Sequence, residues 1–121
     1  MRNEEILEKQ VEKYFNREIK NLGGKSFKWV SPGSSGVPDR IVVWPGGLTT
    51  YVELKQEKGR LRPQQSLRIN QLNAQGAVVC VVYGKDGVDK FIREYKRLID
   101  ENTDLFTKPD IELSIDNLIY R

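Results

Sequence analysis

The chain has no histidine, a single cysteine, and no apolar stretch near the ~18 residues that a membrane-spanning helix requires. Without histidine, Ser-His-Asp triads, imidazole general acid–base pairs and the usual His-containing zinc sites are excluded together. Any catalysis must therefore run on carboxylates, lysine and a hard metal ion. The lone Cys80 lies inside AVVCVVY, where it reads as a small buried hydrophobe, and no chemistry is assigned to it. The N-terminal MRNEEILEKQ is charged and lacks an apolar signal core, so a cytoplasmic protein without membrane attachment is expected. No helix-turn-helix, zinc finger or other base-reading motif is present. An excess of one charge sign is also nearly missing. Twenty Lys and Arg face 17 Asp and Glu, a net charge of +3 that permits an anionic partner without demonstrating one.

What is present is enough for one packed domain: 121 residues, 38% hydrophobic and 31% charged. Residues 4–22 carry a helical stripe, Leu7, Val11, Tyr14, Phe15, Ile19 and Leu22, stopped by Gly23-Gly24. KSFKWV (25–30) alternates as a strand, a Ser/Gly/Pro-rich loop follows, and DRIVVW (39–44) and LTTYVELK (48–55) flank the turn Pro45-Gly46-Gly47 as an antiparallel hairpin. Pro63 fits the first turn of a helix running to about Gln75, AVVCVVY (77–83) suits a buried strand, and residues 87–99 make a last amphipathic helix. The expected order is αβββαβα, an α/β fold with a mixed central sheet flanked by helices. The helix that precedes AVVCVVY is a crossover, which makes that strand parallel to the hairpin's second strand. Residues 1–99 are expected to form the domain. Residues 100–121 form a C-terminal extension, interrupted by Pro109, in which IELSIDNLIY reads as a short helix or an added strand, for dimerisation or edge packing.

Two apolar runs carry acids where a core wants hydrocarbon. Side chains two apart on a strand share a face, so Glu53 and Lys55 project together beside Tyr51, opposite Val52 and Leu54. Counting back through the turn places Asp39 beside Glu53. Two adjacent carboxylates raise each other's pKa unless a cation holds them, and oxygen ligands of this kind suit Mg²⁺ or Mn²⁺. The plainer reading has Asp39 capping the loop and Glu53 paired with Lys55 or Arg40 as an ordinary ion pair. Near the N-terminus, Glu8 falls within the apolar stripe and Glu12 at its edge, so both can point toward the sheet.

The strings KWVSPGSSGVPD, YVELK, GRLRPQQ and AQGAVV, over roughly residues 5–84, resemble the virus-type replication-repair nuclease (VRR-Nuc) family of the PD-(D/E)XK nuclease superfamily, in its stand-alone phage and bacterial form. The resemblance implies a PD-(D/E)XK fold and metal-dependent hydrolysis of DNA phosphodiester bonds, in a bacterial or phage-infected cell. It implies that Asp39 and Glu53 bind Mg²⁺ or Mn²⁺, with the Leu54 carbonyl as a third ligand. Lys55 matches the lysine that orients water and offsets charge on phosphate. Gln65 matches the glutamine of L-x-P-x-Q and is aimed at the sheet, toward a metal-bound water or Lys55. Glu8, with Glu12 as second choice, matches the N-terminal acid that serves the metal. Lys28 aligns with a strand lysine that can approach a phosphate.

Lys58, Arg60 and Arg62, with Ser34 and Ser35 in a small-residue loop that admits a backbone, are expected to bind DNA through phosphates. The absence of a base-reading motif favours recognition of shape over sequence. One small site cuts both strands of a branched substrate only if two copies pair about a two-fold axis, so a homodimer acting on Holliday junctions, flaps or related DNA is expected. Two other readings compete: a general or restriction-type endonuclease of the same superfamily, and a catalytically silent DNA-binding module, which would have no need of paired acids.

Overall fold

The computed structural model describes residues 3–101 and 118–121. Helix α1 (Asn3–Asn21) leads into β1 (Lys25–Lys28), β2 (Arg40–Val43) and β3 (Thr49–Lys55), followed by α2 (Pro63–Ala74), β4 (Val79–Tyr83), α3 (Gly84–Glu101) and β5 (Ile119–Tyr120). The strands form one sheet in the order β1-β2-β3-β4-β5, with β1, β2 and β3 antiparallel and β3, β4 and β5 parallel. The hairpin and the parallel crossover are as expected. The strands are shorter than the sequence pattern implied: Trp29, Val30, Asp39 and Trp44 fall just outside them, although the Trp29 N–H still donates to the Asp39 carbonyl at 2.7 Å and the Trp44 N–H to the Leu48 carbonyl at 2.8 Å.

The sheet has two unequal faces. Even-numbered residues of β2, β3 and β4 meet α1 and α3 in the main core, where Phe15, Ile19, Val42, Val52, Cys80, Val82, Val88, Phe91 and Tyr95 are sealed from water. Burial drives the Cys80 thiol up to about 12, so it stays protonated at neutral pH. Odd-numbered residues Val79, Val81 and Tyr83 pack with Ile69 and Leu72 of α2, and with Leu61 just before it, in a smaller cluster. That second layer leaves room beside β2 and β3 for polar groups.

The third helix begins at Gly84, directly from β4, rather than at residue 87. Gly87, where the helix was expected to begin, lies inside its first turn: a Cβ there would lie 2.5 Å from the Tyr120 carbonyl oxygen, so the glycine lets β5 cross the first turn of α3. The end of the C-terminal segment thus joins the sheet, with Tyr120 buried and Val82 opposite it. Residues 111–117 of the IELSIDNLIY stretch lie outside the described residues. No helix among the described residues is long and apolar enough to cross a membrane.

Candidate active site

The hairpin register sets the centre of the site. Arg40 pairs with Val52, so Asp39, one step before β2, falls opposite Glu53. The Leu54 main-chain N–H donates to Asp39 Oδ2 at 2.9 Å, which fixes the carboxylate at the mouth of the hairpin. Glu53 is only 1% exposed and Lys55 6%, an uncommon depth for charged groups at the end of a strand. Lys55 Nζ lies 3.6 Å from Glu53 Oε2, and Gln65 Nε2 donates to the same oxygen at 3.0 Å. Glu53 Oε1 is buried with no hydrogen-bond partner of good geometry.

The electrostatics follow from that burial. Loss of water pushes the Glu53 carboxyl up to about 8, and the neighbouring Asp39 pushes the same way, while Lys55 opposes both. Asp39 is also raised by burial; the Leu54 N–H and Lys55 work against the shift, and Glu8 and Glu12 add to it. A buried Glu53 with an orphaned oxygen beside a half-buried Asp39, both carboxyls raised by loss of water, forms a donor set that a hard divalent cation would satisfy. Asp39 and Glu53 therefore fit Mg²⁺ or Mn²⁺. Among the described residues no group of three Asp, Glu or Cys side chains converges, so the carboxylate set is a pair.

Gln65 works at both ends of its amide. Its Oε1 accepts from the Arg62 N–H at 2.8 Å, tying the start of α2, while its Nε2 reaches Glu53 rather than Lys55. One amide thus ties the helix start and reaches Glu53 at the same time. The loop before Asp39 is tied to α2: Arg68 Nε donates to the Ser35 carbonyl at 3.1 Å, and Gly36, at φ +82°, lies flat against the Gln64 backbone. Ser34 and Ser35 line this tethered loop, and Ser34 N–H bonds back to Ser31.

The N-terminal acids depart from expectation. Glu8 is exposed, because α1 overhangs the sheet at its first turns and the stripe becomes buried only from Val11 onward. Glu12 is half-buried and pairs with Arg40 Nη1 at 3.4 Å, and Arg40, 6% exposed, also donates to Ser26 Oγ. Arg40 thus points to the α1 face and serves Glu12, not Glu53. Lys28, opposite Arg40, shares that face and is exposed, away from the paired acids. Lys58, Arg60 and Arg62 are exposed on and after the loop that follows Lys55. The role of the Leu54 N–H was missed by sequence reasoning; once 39 is placed opposite 53, the next main-chain donor, at 54, is the one in reach.

The VRR-NUC domain family model matches residues 2–86. The chain belongs to the VRR-NUC family. A phage protein named "Putative nuclease p44", from Acyrthosiphon pisum secondary endosymbiont phage 1, is 38% identical over 81 residues, 67% of this chain and 87% of the phage protein. A solved structure described as a VRR_NUC domain is 36% identical and superposes with a TM-score of 0.68, covering 73% of this chain and 96% of that one. A second, described as a VRR_NUC domain protein, shares 18% identity at a TM-score of 0.52 over 80% of this chain and 88% of its own, a likeness of fold alone. The five-stranded mixed sheet of the VRR-NUC domain seen here is consistent with the PD-(D/E)XK fold. Every site residue named above lies inside the matched segment, whereas β5 lies outside it.

Proposed function

We propose that this VRR-NUC domain is a divalent-metal-dependent endonuclease that hydrolyses phosphodiester bonds in branched DNA, working as a homodimer on four-way junctions or flaps. The observation that carries the reading is the sunken Glu53, held on one oxygen by Gln65 and Lys55, unpartnered on the other, and pushed upward by its burial and then by Asp39. Buried carboxylate oxygens ordinarily have a partner, so the open one favours a ligand over a purely structural ion pair.

Bound by Asp39 and Glu53, with the Leu54 carbonyl as a further ligand, Mg²⁺ or Mn²⁺ would supply Lewis-acid charge to a phosphoryl oxygen and lower the pKa of water. The protein's own groups do the positioning. The Leu54 N–H orients Asp39, and Gln65 fixes the rotamer of Glu53. Lys55, at the same mouth, aligns the attacking water and offsets the negative charge that grows as the new phosphorus–oxygen bond forms and the ester bond to the leaving oxygen breaks. Glu8 and Glu12 add negative potential near Asp39 from α1.

The preference for branched DNA rests on the lack of a base-reading element and on cations set along loops, which bind backbones by shape. Dimerisation follows from symmetry, since one site per chain makes paired cuts only in a two-fold assembly. Labelled four-way junction, linear duplex and single-stranded DNA, each with Mg²⁺, Mn²⁺ or EDTA, test the reading alongside Asp39→Ala. Metal-dependent cutting of the junction, lost in Asp39→Ala while junction binding persists, is the expected result. Equal cutting of all three substrates would overturn branch selectivity, and binding without cutting would leave a silent DNA-binding module.

A further inference from the structure

Beside Lys55, on the α2 side of the sheet, the strands continue in register: Lys55 pairs with Tyr83, and Arg121 follows one step after the Val82 and Tyr120 pair. The Arg121 guanidinium lies over the Tyr83 ring, 4.3 Å from its centroid, and Tyr83 is itself fixed in the cluster with Ile69 and Val81. An open cleft of about 370 Å³ lies here, lined by Lys58, Arg60, Tyr83 and Arg121, with Glu57 as the one acid. The loop carrying Lys58 and Arg60 is folded tightly against Lys55: Gly59 N–H bonds Gln56 O at 2.9 Å, and a Cβ on Gly59 would come within 3.2 Å of Lys55 Cβ. Lys58, Arg60 and Arg121 have no ion-pair partner among the described residues.

We infer that this cleft is a subsite for a backbone phosphate of the strand being cut, and that β5 delivers Arg121 to it. A guanidinium stacked on an aromatic ring keeps its in-plane N–H donors free, which suits a phosphodiester better than a mobile surface arginine does. Three cations against one acid leave the cleft positive. Two strand spacings separate Lys55 from Arg121, about 10 Å. A strand rising about 3.4 Å per nucleotide therefore places the gripped phosphate within about three nucleotides of the scissile bond. Arg121 lies beyond the segment that matches the VRR-NUC model, while Lys58, Arg60 and Tyr83 lie inside it. The identity of the ligand rests on the proposed DNA cleavage; the existence of an anion-binding cleft does not.

Binding of labelled four-way junction is measured by anisotropy in EDTA, at several salt concentrations between about 50 and 200 mM. Arg121→Ala is expected to weaken binding several-fold and to reduce the slope of log K against log salt by about one, the signature of one lost phosphate contact. Arg121→Lys should recover the slope and part of the affinity. Cleavage of junctions carrying a single neutral methylphosphonate at successive positions should show one sensitive phosphate within the predicted distance of the cut, and Arg121→Ala should abolish that sensitivity. If Arg121→Ala lowers the melting temperature, Arg60→Ala, on the loop that also lines the cleft, carries the same test. An unchanged salt slope in both folded variants overturns the subsite whether or not the parent protein cuts DNA. A reduced slope in a protein that never cuts would instead retain the cleft and remove the nuclease reading.

Discussion

Without metal, the protein should lose stability as pH rises from about 5 to 8, and Glu53→Gln should remove most of that loss. The Glu53 carboxyl rises from 4.5 in the unfolded chain to about 8 in the fold. Between those values the folded state keeps a proton that the unfolded chain has released, so the native state is favoured at low pH and the advantage drains away as pH climbs. Each pKa unit corresponds to about 1.4 kcal/mol, so moving from pH 4.5 to 7 removes about 3 kcal/mol. For a domain of this size that is about 10 °C in melting temperature. Asp39, also raised, contributes with the same sign. The window is unusually clean because the chain has no histidine to titrate within it.

The assay is thermal unfolding followed by circular dichroism at half-unit pH steps in EDTA, repeated with Mg²⁺ or Mn²⁺. Parent protein should melt lower at pH 8 than at pH 5, and Glu53→Gln should melt higher than the parent at pH 8 with a nearly flat profile. Cation at about 100 times its dissociation constant should return about 3 kcal/mol to the parent at pH 8, and far less to Glu53→Gln. A flat parent profile, or an equal slope in the variant, would refute the electrostatic account of the site; an equal cation shift in both would remove Glu53 from the metal-binding set.

Gln65→Ala removes the hydrogen bond to Glu53 and the tie to the Arg62 N–H together, and cleavage rate should fall by about 10- to 100-fold, as for other groups that orient a metal ligand, in a single-turnover assay. Gly36→Ala forces an L side chain into φ +82° and onto the Gln64 backbone, with the new carbon 2.7 Å from the Gln64 carbonyl carbon; the protein should lose about 1–3 kcal/mol in urea unfolding. Glu12→Gln weakens the partner of a buried arginine and should lower the melting temperature, whereas Glu8→Gln, at an exposed position, should leave melting unchanged. If Glu8→Gln nevertheless depresses metal-dependent cleavage, the exposed acid serves the metal.

Most of the fold was legible because its signals are local. The stripe of Val11, Phe15 and Ile19, the Pro45-Gly46-Gly47 turn and the apolar run of β4 each identify an element by periodicity or turn chemistry, and the long connection from β3 to β4 forces their parallel pairing. The start of α3 was expected three residues late, and what requires glycine at 87 is a partner distant in sequence. A glycine required by the passing backbone of β5 looks, along the chain, the same as a glycine that ends a loop.

The site divides along the same line. Asp39, Glu53 and Lys55 could be brought together on paper because a hairpin is a counting problem: one turn fixes the register, and period two fixes the faces. Glu8 and Glu12 could not be ranked that way. Their orientation on α1 was readable, but burial depends on how far the helix overhangs the sheet and on which acid a buried cation selects, and Arg40 selects Glu12. The cleft at Arg121 depends on a parallel strand whose register no turn dictates, so it emerges only when β5 is placed beside β4. The paired acids are therefore legible along the chain because one turn sets their register, while the cleft at Arg121 is set by packing between segments far apart in sequence.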